Sequence, residues 1–151
     1  MSHVAHIDLH VTDLPALRLA CAKLGLEFLE GESNYRWYGQ WMNDYNRDEA
    51  AVTQGFDPKQ FGKNASHVIG IAGNKTAYQV GVVKRVDGKP GFSLLYDNWC
   101  GGNGLEAIIG KRAGLLKQQY SLQVAKKAAM KKGLRVTESV GTDGTVKLHC
   151  V

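Results

Sequence analysis

The residues Val4 to Val11, VAHIDLHV, alternate without a break, with Ala5, Ile7, Leu9 and Val11 on one side of an extended chain and His6, Asp8 and His10 on the other. Successive side chains of a strand point to opposite faces, so this segment reads as a half-buried β-strand. Immediately after it, Thr12 or Asp13 stands where a helix cap is needed and Pro15 fits a first turn. Leu14, Leu17, Cys21 and Leu24 then recur at helical spacing before Gly25 supplies a stop. A one-faced strand leading straight into a one-faced helix has to be layered, the helix lying on the sheet.

Further along, Leu26 to Leu29 and Tyr35 to Trp41 read as a second extended region, punctuated by Gly31, Ser33 and Asn34. The pattern is then lost from Met42 to Ser66, an irregular insertion in which Asp48 to Val52 has the composition of a short helical turn. Such long excursions in compact domains are functional or mobile segments. Strand patterns return at His67 to Ala72, Tyr78 to Val86 and Phe92 to Tyr96, the last two forming a hairpin across DGKPG. A glycine-rich segment, DNWCGGNG, precedes a long helix expected from Leu105 or Ile108 to Lys132, with its stop at Gly133. One apolar row on that helix is Ile109, Leu116, Tyr120, Val124 and Ala128; the other is Leu115, Leu122, Ala125 and Ala129. Two rows imply burial against the sheet and against the first helix or a partner chain, so a homo-oligomer is among the expectations. Leu134 to Val140 and Thr145 to Val151 close the chain as a hairpin.

The expected fold is α+β: a largely antiparallel sheet with two helices packed on one face, of ferredoxin-like character, in the order β-α-β-β-β-β-α-β-β. The sharp polarity of the first strand implies that the opposite face of the sheet is solvated or used for binding. At 151 residues, with 44% hydrophobic and 22% charged, one domain spanning 1–151 is expected. A chain of that size buries roughly two-thirds of its unfolded surface without cross-links. No apolar run approaches the ~18 residues of a membrane span. The opening MSHVAHIDLH has no secretory pattern, so the expected location is cytoplasmic and no membrane partner is expected. Cys21, Cys100 and Cys150 show no CxxC spacing and read as reduced thiols.

Charge is concentrated. From Ala107 to Thr137 lie eight basic residues, Lys111, Arg112, Lys117, Lys126, Lys127, Lys131, Lys132 and Arg135, with no acidic one, although the whole chain carries only +5. Such a segment attracts nucleic acid, anionic metabolites or an acidic protein surface. A helix turning ~100° per residue spreads these side chains around its circumference. Lysines near its end also oppose the helix dipole, which makes solubility and capping the simpler role.

Three groups of residues are candidates for a site. His6, Asp8 and His10 carry ligand chemistry suited to zinc, iron or manganese. Their Cβ atoms lie about 7 Å apart along a strand, so a shared metal needs further ligands from a neighbouring strand, and the alternative is a polar exterior row. In Tyr35 to Trp41, Tyr35, Trp37 and Trp41 share one face and suit core packing. Arg36, Tyr38 and Gln40 share the other and, with Tyr45 and Trp99, suit a surface that stacks on a ring or holds a phosphate. The Gly101, Gly102, Asn103, Gly104 loop lacks the spacing of a nucleotide-binding loop, since Arg112 stands where Ser or Thr is needed, and reads as a helix-entry loop. No catalytic motif and no cofactor motif is present, so neither a catalytic residue nor a cofactor is assigned.

Several blocks together resemble the conserved hypothetical chloroplast open reading frame thirty-five family, found also in cyanobacteria, other bacteria and phages. They are MSHVAHI, YRWYGQ, the YQVGVV strand with its DG turn and LLYDNW, and the closing LLKQQYSLQVAKKAAMKKGLRVTESVGTDGTVKLHC. The closing block is the most specific, with Gln118, Tyr120, Ala129 and Gly133 on the helix, Val136 and Glu138 on a strand, and Asp143 and Gly144 in the turn. The resemblance implies a small α+β protein of cytosol or plastid and brings no catalytic residues. The 42–66 stretch departs from the family's compact form, which fits a phage-borne member acting in the host cytoplasm. His10 to Leu14 followed by Leu24, Gly25 and Leu26 are similar to the strand-helix opening of vicinal-oxygen-chelate proteins such as glyoxalases. That likeness implies a metal-dependent enzyme with the strand histidine as ligand.

The leading functional expectation is a non-enzymatic binding or accessory protein that engages a protein partner or a small anionic ligand through the open sheet face, the Arg36 and Tyr38 region and the long loop. The alternatives are the metal-dependent enzyme at His6, Asp8 and His10, and nucleic-acid binding by the basic helix.

Overall fold

In the computed structural model, residues 4–38, 55–57 and 60–151 are described. The chain forms strand β1 (Val4–Val11), helix α1 (Leu14–Leu24) and strands β2 (Leu26–Glu30), β3 (His67–Ile71), β4 (Val80–Lys84) and β5 (Phe92–Asp97). After these come helices α2 (Glu106–Ile109) and α3 (Gly114–Lys131) and strands β6 (Val136–Val140) and β7 (Val146–Cys150). The architecture is α+β. β2 to β5 form an antiparallel meander that returns to the first strand, giving the order β1-β5-β4-β3-β2. β1 and β2 are therefore the two edges, and the α1 connection crosses the whole sheet.

Helix α1 starts and stops as its residues dictate. Asp13 caps it by accepting from the Ala16 amide at 3.0 Å, Pro15 lies in the first turn, and Gly25 closes it in the left-handed conformation (φ 74°). Its buried side is Ala16, Leu17, Ala20 and Cys21. These meet Ile7, Val11, Ile69, Val80, Val82, Leu94 and Tyr96 of the sheet, with Leu116 and Tyr120 of α3, in the main core. Burial pushes the Cys21 thiol up to about 12, so it packs as a small hydrophobe.

The other face of the sheet is not the solvated surface its polarity suggested. Tyr35, Phe56, Phe61 and Ala65 cover Val68, Val83 and Leu95 in a second core, with Leu29 and Trp37 at its margin. The Tyr35 ring lies directly on Gly81, whose missing side chain leaves the room. Phe56 and Phe61 come from the stretch read as an insertion, so part of that excursion completes the fold. Tyr35 is buried and Tyr38 exposed as expected, but Arg36 and Trp37 between them are both intermediate, and Tyr35 to Tyr38 form no strand. Trp41 and the helical turn at Asp48 to Val52 lie outside the described residues.

The long helix is broken. Gly110 takes φ 84°, ψ 160°, a region only glycine occupies readily, and Lys111–Ala113 form a 3₁₀ turn before α3 begins. The closing hairpin forms, with β6 pairing β7 from Val136↔Cys150 to Val140↔Val146, but as a ribbon separate from the main sheet. A ferredoxin-like arrangement needs a second split β-α-β unit. Here the strand after α3 pairs outside the five-stranded sheet, so that expectation is corrected. Among the described residues no helix is long and apolar enough to cross a membrane.

Candidate functional site

β1 pairs with β5, and among the described residues its other edge carries no strand partner in the sheet. Between Ile7 and Val11 it takes two more residues than β5 takes from Leu94 to Phe92, so Asp8, Leu9 and His10 bulge from the ladder. The polar row is consequently pulled apart. His6 stacks on Phe56, with ring centroids 5.4 Å apart and planes at 12°. His10 Nε2 meets the Pro90 carbonyl in the β4–β5 turn. Asp8 is exposed, and among the described residues it forms no ion pair. No group of three His, Cys, Asp or Glu side chains among the described residues is gathered as a metal would need.

Two concavities flank this strand. One, of about 430 Å³, is lined by His6, Asp8, Leu9, His10 and Arg85. Arg85 is already engaged there: its Nε donates to Asp87 Oδ1 at 3.1 Å and its Nη2 to Oδ2, which holds the Asp87 carboxyl down at about 2. The other, of about 420 Å³, is lined by Ala5, His6, Ile7, Asp8, Tyr96, Asn98, Arg112 and Lys117. Among the described residues neither Arg112 nor Lys117 forms an ion pair. Arg112 (φ 55°) and Ala113 (φ 58°) are both left-handed, a costly backbone for side-chain-bearing residues. Tyr96 beneath them donates its hydroxyl to Glu106 Oε1 at 3.1 Å, and burial together with that carboxylate raises its pKa.

His6 belongs to both concavities. Its Nε2 is buried and, among the described residues, has no hydrogen-bond partner. Burial, then the Arg85 charge, hold its pKa below the ordinary 6.5 against a smaller opposing pull from Asp8, so the ring is neutral at pH 7.

The aromatic candidates are placed differently. The Arg36 amide donates to Gln79 Oε1 at 2.8 Å and its guanidinium to the Ala77 carbonyl at 2.6 Å, which ties it to the segment leading into β4. Tyr38 and Trp99 do meet, with centroids 6.3 Å apart. The residue that joins them is Asp97, fully buried at the end of β5, whose carboxylate accepts from the Tyr38 amide (3.1 Å) and the Trp99 amide (3.0 Å). Sequence reasoning passed over it; its signal was an Asp two residues before Trp99, positioned for an Asx turn. Gln40 and Tyr45 lie outside the described residues. The glycine-rich loop from Cys100 to Gly104 is left-handed throughout and is fixed by Tyr78, whose amide donates to the Gly102 carbonyl at 3.0 Å.

The basic segment divides. Arg112 and Lys117 reach the β1 concavity; Lys126 pairs with Glu138 at 2.9 Å and Lys127 with Asp13 at 3.0 Å; Lys111, Lys131 and Lys132 are exposed. The dispersal is what the helical step requires. The positions of Arg85 and Asn98 beside His6 carried no local signal, because each arrives from another strand's end. Compared with protein-family models, with curated proteins and with solved structures, the chain matches none.

Proposed function

We propose that this is a binding protein that takes a small anionic ligand at the open edge of β1. The observation that supports it is the meeting of Arg112 and Lys117, neither in an ion pair among the described residues, with His6 in the lining of one concavity. Two cations beside a half-enclosed site suit a phosphate or carboxylate group, because low local polarity strengthens each charged hydrogen bond. Asp8 on the same rim favours a ligand that also carries a hydrogen-bond donor. The strained backbone at Arg112 and Ala113 favours a functional reading of that turn. Acting in the cytoplasm, or the host's cytoplasm if phage-borne, such a protein would sequester or deliver its ligand.

The test is calorimetric titration with inorganic phosphate and, separately, with citrate. Saturable binding of one of them is expected, weakened roughly tenfold or more in Arg112→Ala and in Lys117→Ala, the loss of about 1.4 kcal/mol or more. An anion facing His6 favours the imidazolium, so affinity rises as pH falls through that group's depressed pKa. No saturable binding of either anion, or binding indifferent to both substitutions, overturns the assignment.

A further inference from the structure

A second feature lies on the opposite side of the molecule's helical layer, where α1 and α3 pack together. Between them runs a trough of about 320 Å³ lined by Pro15, Ala16 and Leu19 from α1 and by Gln123, Lys126, Lys127 and Met130 from α3. Leu19 is 55% exposed and Met130 66%, both large apolar side chains left in water. Gln123 is the opposite case. It is only 7% exposed, yet among the described residues its side-chain amide nitrogen has no hydrogen-bond partner. A buried donor without an acceptor is unfavourable, and an incoming carbonyl would recover that cost.

Among the described residues, the charges around the trough that are not in an ion pair are positive. Neither α1 nor α3 contains an acidic residue. The Asp13 and Glu138 carboxylates that approach it are already paired with Lys127 and Lys126. Lys23, one turn beyond Leu19, and Lys131, one turn beyond Lys127, are exposed and form no ion pair among the described residues. We infer that this trough docks an acidic amphipathic helix of a partner protein. An apolar side chain of that helix enters between Leu19 and Met130, a carbonyl accepts from Gln123, and its carboxylates face Lys23 and Lys131. The lining residues from Gln123 to Met130 span two turns, roughly 10 Å, which matches apolar anchors at i, i+3 or i+4, and i+7. Methionine in such a groove adapts to the anchor's shape. A membrane surface is disfavoured because a bilayer presses on convex apolar ridges and offers the recessed Gln123 no acceptor.

The probe is a blocked, dye-labelled peptide with leucines at i, i+3, i+4 and i+7 and glutamates elsewhere, read by fluorescence anisotropy against the full chain. Saturable binding is expected, falling roughly tenfold or more in Leu19→Glu and in Met130→Glu, the magnitude of an interface anchor. Both positions are exposed, so circular dichroism should show the fold intact. The Gln123 side-chain amide resonance should shift on binding, and Gln123→Leu should weaken binding without lowering Tm. Three outcomes overturn the inference: no saturable binding, equal binding of the lysine-for-glutamate peptide, or binding that survives Leu19→Glu and Met130→Glu. Competition by anionic vesicles or by an oligonucleotide at those same lysines, with the peptide inert, assigns the surface to lipid or nucleic acid and equally overturns it. Because none of the substituted residues lines the β1 concavity, anion binding there should be unchanged in every variant, which keeps the two proposals separable.

Discussion

At the residue scale, small differences in side-chain volume decide the packing. Gly81 sits under the Tyr35 ring, and a methyl group there would overlap ring atoms that are themselves buried. Gly81→Ala should therefore destabilise the protein by about 1–3 kcal/mol, as overpacking of a filled core does, measured by urea denaturation; an unchanged midpoint would show that Tyr35 can move aside. Much at this scale was legible in the chain itself. Ile7 and Val11 are buried and Asp8 and His10 exposed, as strict alternation requires. Asp97 and Gln123 were not legible, since a buried carboxylate and a buried amide look like any surface polar residue until the elements that enclose them are in place.

At the scale of elements, caps and breaks follow local chemistry unevenly. The α1 start was readable because Asp13 and Pro15 belong to the helix they begin. Asp13→Ala removes the bond to the Ala16 amide and the exposed pair with Lys127. The cap should account for about 1 kcal/mol of stability, and the pair for little. The Ala16 amide, then Lys127, lower the Asp13 carboxyl below its ordinary pKa. Its contribution is therefore present above the unfolded value and lost as pH falls through the folded one. Melts of the wild type and the variant should differ at neutral pH and converge in strong acid; a difference that persists there would assign the effect to something other than the carboxylate. The break before α3 was hidden for the converse reason. Apolar residues continue at helical spacing from Ile109 through Leu116 and Tyr120, so periodicity alone joins α2 to α3. The turn at Gly110 is imposed by packing, which buries Ile109, Ala113 and Leu116 in the same core.

At the scale of the whole fold, both faces of the sheet are covered, and among the described residues no strand pairs with the outer edge of β1 or of β2. Phe56 is fully buried on the face opposite the helices, stacked on His6. Phe56→Ala should cost about 3–5 kcal/mol, the range for a large core aromatic. It should also expose His6 to water, returning its pKa upward toward 6.5, since burial is the largest cause of its depression. Thermal melts and a histidine titration by NMR check both parts. Unchanged stability would mean that the second core is dispensable to the fold.

The five strands of the sheet, the apolar face of β1, the caps of α1 and the two closing strands were determined by the sequence alone, because each depends on neighbours a few residues away. What covers the far face, how Arg112 and Lys117 reach His6, and why Gln123 is buried beside exposed Leu19 and Met130 were decided only by the tertiary structure. Those arrangements join residues from distant parts of the chain, and periodicity carries no information about which distant surfaces meet.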